Sequence, residues 1–265
     1  MKEPINLNEQ KRIQLEILDD IHMFCLQNGI RYSLAYGTLL GAIRHQGYIP
    51  WDDDIDLMMP RTDYEKFLRS YKSEKNEVLD LRNNDCTIEL FSKVSRKGTL
   101  MIDTTEGRGL WGINIDIFPM DGVPDDYGRH WQAIVDKRKK LPLLCPFYKA
   151  IHHNKAYWLV KYIMKRLFCL NFTNYILLKK QINNAASSFS ICDTLFCGCL
   201  LTDDPKDAVP SRLFDRINLI KFEGKEYFSI TDFDTYLKTI YGDYMQLPPV
   251  EDRVSHHLYK AFIVQ

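Results

Sequence analysis

Four aspartates fall within five positions of Pro50-Trp51-Asp52-Asp53-Asp54-Ile55-Asp56-Leu57, and they run straight into an apolar strand over 55–59. Side chains of a strand alternate faces, so Asp54 and Asp56 are expected to point one way while Ile55 and Leu57 enter the core. Strand rise puts their Cα atoms roughly 6–7 Å apart, near enough for both carboxylates to share one small cation. Two such charges about 4 Å apart repel by roughly 4 kcal/mol at an effective dielectric near 20. A divalent cation removes that conflict, and an all-oxygen ligand set selects Mg²⁺, with Mn²⁺ as substitute, over zinc. A third carboxylate, Asp116, sits in the apolar strand 112–118 beside Ile113, Ile115, Ile117 and Phe118. An aspartate there is costly unless paired or ligated, so Asp116 is expected at the same site, as metal ligand or as general base toward an acceptor hydroxyl.

Just upstream lies Tyr36-Gly37-Thr38-Leu39-Leu40-Gly41. A turn of small residues between strand and helix lets backbone N–H groups approach a phosphate, and Thr38 adds a hydroxyl; Gly37 and Thr38 are the expected phosphate seat. Arg44 and Lys93 are candidate clamps for charge on a departing phosphate.

These residues need a scaffold. Ile13, Ile17, Ile21 and Phe24 recur at helical steps, predicting a helix over 8–28 that stops at Asn28-Gly29. Strands are expected at 30–36, 55–59, 88–94, 112–118 and 195–201. Helices are expected at 39–44, from Thr62 or Asp63 to about 71, and at 234–240. The segment 127–184 reads as mainly helical and locally basic. The pattern is that of one α/β domain with a helical insertion.

Composition narrows the function. Of 265 residues, 45% are apolar and 26% charged, which supports a real core. Lys+Arg and Asp+Glu are each 35, for a formal charge of zero, and this argues against a nucleic-acid partner. The seven cysteines follow a polar start, MKEPINLNEQKR, so reduced thiols in a cytoplasmic protein are expected. Cys192, Cys197 and Cys199 lack the paired spacing of a zinc site. The stretch 156–172 carries Lys161, Lys165 and Arg166, which suits a helix packed on the core better than a spanning one; a membrane-surface role is its minority reading.

The block Leu34-Ala35-Tyr36-Gly37-Thr38-Leu39-Leu40-Gly41-Ala42-Ile43-Arg44-His45, followed by Ile49-Pro50-Trp51-Asp52-Asp53-Asp54-Ile55-Asp56, resembles the LicD family of the nucleotidyltransferase superfamily. The resemblance continues through Lys93, Asp116-Ile117-Phe118-Pro119, Phe222-Glu223-Gly224, Tyr241-Gly242-Asp243-Tyr244 and Pro248-Pro249. It implies a nucleotidyltransferase-like mixed sheet with flanking helices. One domain would span 1–265, with a core of about 8–125, a helical region of about 127–190 and a C-terminal part of about 191–265. It implies Mg²⁺-dependent transfer of phosphocholine from CDP-choline to a bacterial cell-surface glycan or glycolipid, such as lipopolysaccharide or teichoic acid. The reaction would run in the cytoplasm, at the inner face of the membrane. Asp54, Asp56 and Asp116 would hold the metal, Gly37, Thr38, Arg44 and Lys93 the phosphates, and Trp51, Trp111 or Tyr36 the choline cation. Transfer of ribitol phosphate from CDP-ribitol, nucleotidyl transfer from a triphosphate, and a non-catalytic binding module are the competing readings.

Overall fold

The structure, a computed structural model, describes residues 2–81, 89–103, 109–141, 172–202, 208–254 and 259–264. Its spine is strand β8 (Asn114–Val123), buried from Ile117 onward. Strand β3 (Asp56–Pro60) runs parallel to it along one edge. The other edge is shared: β5 (Ser92–Arg96) pairs with residues 114–117 and β9 (Phe196–Gly198) with 121–123, both antiparallel. β2 (Ser33–Leu34) on β3, β4 (Asn76–Leu79) on β5 and β10 (Val209–Pro210) on β9 complete a mixed seven-stranded sheet.

The shared edge explains a proline in a central strand. Asp116 donates its N–H to Ile55 O across the β3 side at 3.0 Å. Alternate residues therefore address the opposite edge, and Pro119 is one of them. It falls where β5 has ended, after Ile117, and β9 has not begun, before Asp121. No ladder bond is lost there, so the sheet tolerates a residue without an N–H.

Helix α1 (Leu7–Asn28) is capped by Asn6, which accepts the Glu9 N–H at 2.9 Å, and ends on Gly29 at φ 58, the left-handed geometry a glycine adopts freely. Its buried stripe of Ile17, Ile21 and Cys25 continues toward the N-terminus as Gln14 and Gln10, two buried amides. Helices α2 (Tyr36–Arg44) and α3 (Arg61–Ser70) flank β3 in sequence. α4 (Tyr127–Arg138) and α5 (Phe172–Ala186) are the described parts of the expected helical insertion, and α6 (Phe233–Tyr241) is the late helix. The stretch 156–171 lies outside the described residues. Among those described, no helix is long and apolar enough to cross a membrane.

Some boundaries move. The strand expected at 55–59 starts at Asp56, so Asp54 lies in the loop before it; the strand expected at 88–94 runs Ser92–Arg96. Two assemblies left no local signal. An antiparallel sheet joins β1 (Lys2–Ile5) to β13 (Tyr259–Val264), β6 (Thr99–Asp103) and β7 (Gly109–Trp111). A hairpin, β11 (Ile217–Phe222) with β12 (Lys225–Ile230), turns through Glu223 and Gly224 at φ 50 and 77. Cys25, Cys197 and Cys199 are buried and Cys192 is exposed.

At the far end of β8 a buried ion pair fixes the sheet to α3. Arg61 donates Nε to Asp121 Oδ1 at 2.7 Å and Nη2 to Oδ2 at 2.5 Å, and Asp121 has no exposed surface. Removing one partner strands the other charge in the core. Asp121→Ala should lower unfolding free energy by about 3–5 kcal/mol in urea titration, and a loss under 1 kcal/mol would show the pair to be dispensable.

Candidate active site

Strand register gathers the chemistry. Asp56 on β3 pairs with Asp116 on β8, and Asp116 pairs with Lys93 on β5. Directly paired residues share a face of the sheet, so the three side chains stand abreast in one row. Lys93 Nζ lies 2.6 Å from Asp116 Oδ1 and 2.7 Å from Oδ2, and Asn114 Nδ2 donates to Oδ1 at 2.7 Å. Glu89 stands 3.3 Å from the same ammonium, while Trp111 and Phe91 present ring faces at 4.5 and 5.0 Å. Burial disfavours a charged Lys93, but Asp116 and Glu89 outweigh it and hold the ammonium above the usual lysine value. Lys93, expected as a phosphate clamp, is first the counter-ion of Asp116.

Asp56 carries the strain of the cluster. Burial, then the charges of Asp54, Asp116 and Asp52, push its carboxyl well above the usual range, opposed by Lys93. Asp53, Asp54 and Asp116 line a cavity of about 180 Å³ with Lys93, Glu89 and Trp111. Asp54 thus reaches the site from the loop and not, as expected, from the strand. Among the described residues no three His, Cys, Asp or Glu side chains already stand in metal-holding geometry. Lys93 occupies that electrostatic role at Asp116. The donor set fits a hard cation all the same: its oxygens are carboxylates, and Asp56 faces more negative than positive charge.

The glycine turn is tighter than expected. Gly37 and Thr38 lie in the first turn of α2, where backbone N–H groups lack intrahelical acceptors. A Cβ on Gly37 would come within 2.6 Å of Asp52 Oδ2, so a larger residue here would displace the Asp52 carboxylate from its place. Thr38, buried, accepts the Asp56 N–H at 2.8 Å and so ties the helix start to the carboxylate row. Arg44 donates Nη1 to the carbonyls of Tyr244 at 2.7 Å and Gln246 at 3.3 Å, and so fastens the loop after α6. Tyr36 packs edge-on against Phe118, its centroid 5.1 Å away.

Composition and spacing gave no hint of the brace behind the acidic loop. Gln14 Nε2 donates to Asp53 O at 3.0 Å and to Asn114 O at 3.4 Å, and Gln10 Nε2 reaches Asp53 O at 3.2 Å. Tyr48 donates its hydroxyl to Gln14 Oε1 at 3.1 Å, and the Tyr48 N–H donates to Glu223 at 3.0 Å. One buried amide therefore spans the two segments that carry all three carboxylates. The only available signal was two glutamines on the apolar stripe of a helix. Gln14→Leu should lower kcat about 10- to 100-fold through misplacement of the row, with a smaller change in KM and a stability loss of about 1–3 kcal/mol. A kcat within twofold of wild type would show the brace to be purely structural.

Residues 29–161 match the family model described as LicD/FKTN/FKRP, nucleotidyltransferase domain. The lipopolysaccharide cholinephosphotransferase LicD of Haemophilus influenzae is 31% identical over 269 residues, covering 98% of this chain and 99% of that protein. An uncharacterized protein of Rickettsia typhi is 39% identical over 70 residues, 25% of this chain and 23% of its own. Mouse ribitol 5-phosphate transferase FKRP is 32% identical over 95 residues, 29% of this chain and 19% of its own. The chain belongs to the LicD family.

Proposed function

We propose that this protein transfers phosphocholine from CDP-choline to a hydroxyl of a bacterial cell-surface glycan. The observation that carries the reading is the row Lys93–Asp116–Asp56 beside the first turn of α2, in a chain similar over almost its whole length to a cholinephosphotransferase of lipopolysaccharide. Lipopolysaccharide or a related glycolipid is the acceptor class, and the cytoplasmic side of the membrane its place of work.

In this reading Asp54 and Asp56 would hold Mg²⁺, with Mn²⁺ as a substitute, and Asp116 would be left to act as the base. When bound there, such an ion would supply charge neutralisation at the diphosphate. The chain's own groups do the rest. Backbone N–H groups of Gly37 and Thr38 receive the phosphate oxygens. An acceptor oxygen forms its bond to the β-phosphorus as the bond to the CMP oxygen breaks, and the hydroxyl proton passes to Asp116. Its Oδ2 accepts only from Lys93 among the described residues, whereas Oδ1 accepts from Lys93 and Asn114, so Oδ2 has the lone pair to spare. Lys93 balances the charge that these carboxylates concentrate.

Partial similarity to a ribitol 5-phosphate transferase favours a second donor, CDP-ribitol. Purified protein with acceptor glycan and Mg²⁺ should release CMP from CDP-choline, with little from CDP-ribitol and no pyrophosphate from nucleoside triphosphates. Faster release from CDP-ribitol would transfer the assignment to it. Asp54→Ala and Asp56→Ala should each lower turnover roughly 10²- to 10³-fold with the fold intact by circular dichroism.

A pH signature follows from Asp56. Its folded-state pKa lies above the unfolded value, so between the two the folded protein keeps a proton that the unfolded chain has lost. Without a divalent cation, this group's contribution therefore falls as pH rises from the ordinary carboxylate range. Mg²⁺ competes with that proton, so its thermal stabilisation should be larger at about pH 7.5 than at about pH 5 and should vanish in Asp56→Asn. Equal shifts in wild type and variant would remove Asp56 from the ligand set.

A further inference from the structure

The acidic loop has two sides. Asp53 and Asp54 face the carboxylate cavity, whereas Asp52 lines, with Gly37 and Trp51, a separate cleft of about 810 Å³ closed by the loop that follows α6. We infer that this second cleft seats the cationic end of the donor, with a quaternary ammonium against the face of Trp51. The inference rests on the donor assignment above.

Charge on the cleft wall selects the cation. Asp52, Asp243, Glu251 and Asp252 line it. Arg44, its lining cation, is committed to the Tyr244 and Gln246 carbonyls. A diphosphate would be repelled by such a wall, so the alcohol end of the donor belongs here and the phosphates belong at the start of α2. A quaternary ammonium has no N–H to donate. It is held by a diffuse negative field together with an aromatic face, and Tyr241 and Tyr244 join Trp51 in the wall.

The Trp51 ring already carries a cation. Arg253 Cζ lies 5.6 Å from its centroid, and Arg253 Nε donates to Pro248 O at 2.9 Å, which keeps the guanidinium beside the cleft. His45 stands nearly perpendicular to the ring, its centroid 6.2 Å away. The other aromatic candidates do not qualify. Trp111 lines the carboxylate cavity and not this cleft, and its ring faces the Lys93 ammonium there. Tyr36 is packed edge-on against Phe118.

Kinetics of Trp51→Leu and Trp51→Phe with CDP-choline and CDP-ethanolamine, together with inhibition by CMP, test the assignment. Loss of the ring should raise the KM for CDP-choline about 3- to 30-fold, with Trp51→Phe intermediate, and should shrink the preference for choline over ethanolamine. Inhibition by CMP should stay within twofold of wild type. Weakened CMP inhibition with the choline preference kept would mean that Trp51 stacks on cytosine, and the inference would fall. Should Trp51→Leu not fold, Trp51→Phe decides by the same ratios. No CMP release from CDP-choline by wild type removes the donor assignment and this subsite with it, whereas release with an unchanged KM in the variants removes the subsite alone.

Discussion

Like charges held together are the constraint around which this molecule is organised. Parallel pairing of β3 with β8 sets Asp56 and Asp116 directly abreast, and the loop entering β3 adds Asp54 and Asp52 to the same field. Left alone, such a group would splay or take up protons. Lys93 opposes both from the next strand, with its charge sandwiched between Asp116 and Glu89. That compensation is incomplete: Asp56 still meets more negative than positive charge, so repulsion remains in the row.

Holding the group in place takes braces from distant parts of the chain. Gln14 reaches both carboxylate-bearing segments from α1. Thr38 fixes the start of β3 from α2, and the hairpin tip at Glu223 fixes the loop before the acidic run through the Tyr48 N–H. A Cβ on Gly47 would overlap the Glu223 carboxylate, so a side chain there would push that carboxylate off the Tyr48 N–H. The braces on the row itself, Gln14 and Thr38, are a neutral amide and a hydroxyl, which add no charge to it.

What could be read from the chain alone was whatever depends on local pattern. A lone aspartate in an apolar strand announced Asp116, and the Asp-rich entry to β3 announced Asp56; the pairing of those strands then placed them side by side. Asp54 was assigned to a strand face because alternation was extended one residue too far, whereas the chain before Asp56 is loop. Lys93 and Arg44 looked like spare cations because a sequence does not display an ion's partner. Both turned out to be committed, one to Asp116 and one to backbone carbonyls near residue 245. The sheet that joins residues 2–5 to 259–264 could not be foreseen, since antiparallel pairing across the length of the chain leaves no periodicity at either end. Gln10 and Gln14 were hidden for a related reason: a polar residue on an apolar stripe reads as a break until the carbonyl it serves is known.

Backbone strain converges on the same loop. Among the described residues, the non-glycine positions with positive φ are Tyr36, Gln46 and Glu223, at 41°, 60° and 50°. Left-handed geometry costs an L-residue about 1–2 kcal/mol, so each must be held by its surroundings. Tyr36 opens α2 and donates its N–H to the Tyr236 hydroxyl at 3.3 Å, while Glu223 donates its N–H to Gln46 O at 3.1 Å. Gln46 and Glu223 are tied to one another by this bond, and their contact sets where the acidic loop begins; Tyr36 sets where α2 begins. A relaxed chain would let either segment drift by an ångström or so, and a row of repelling carboxylates would amplify the drift. The strained positions sit where the chain turns into the site, which is the place where rigidity in the backbone does most to keep like charges at a fixed separation.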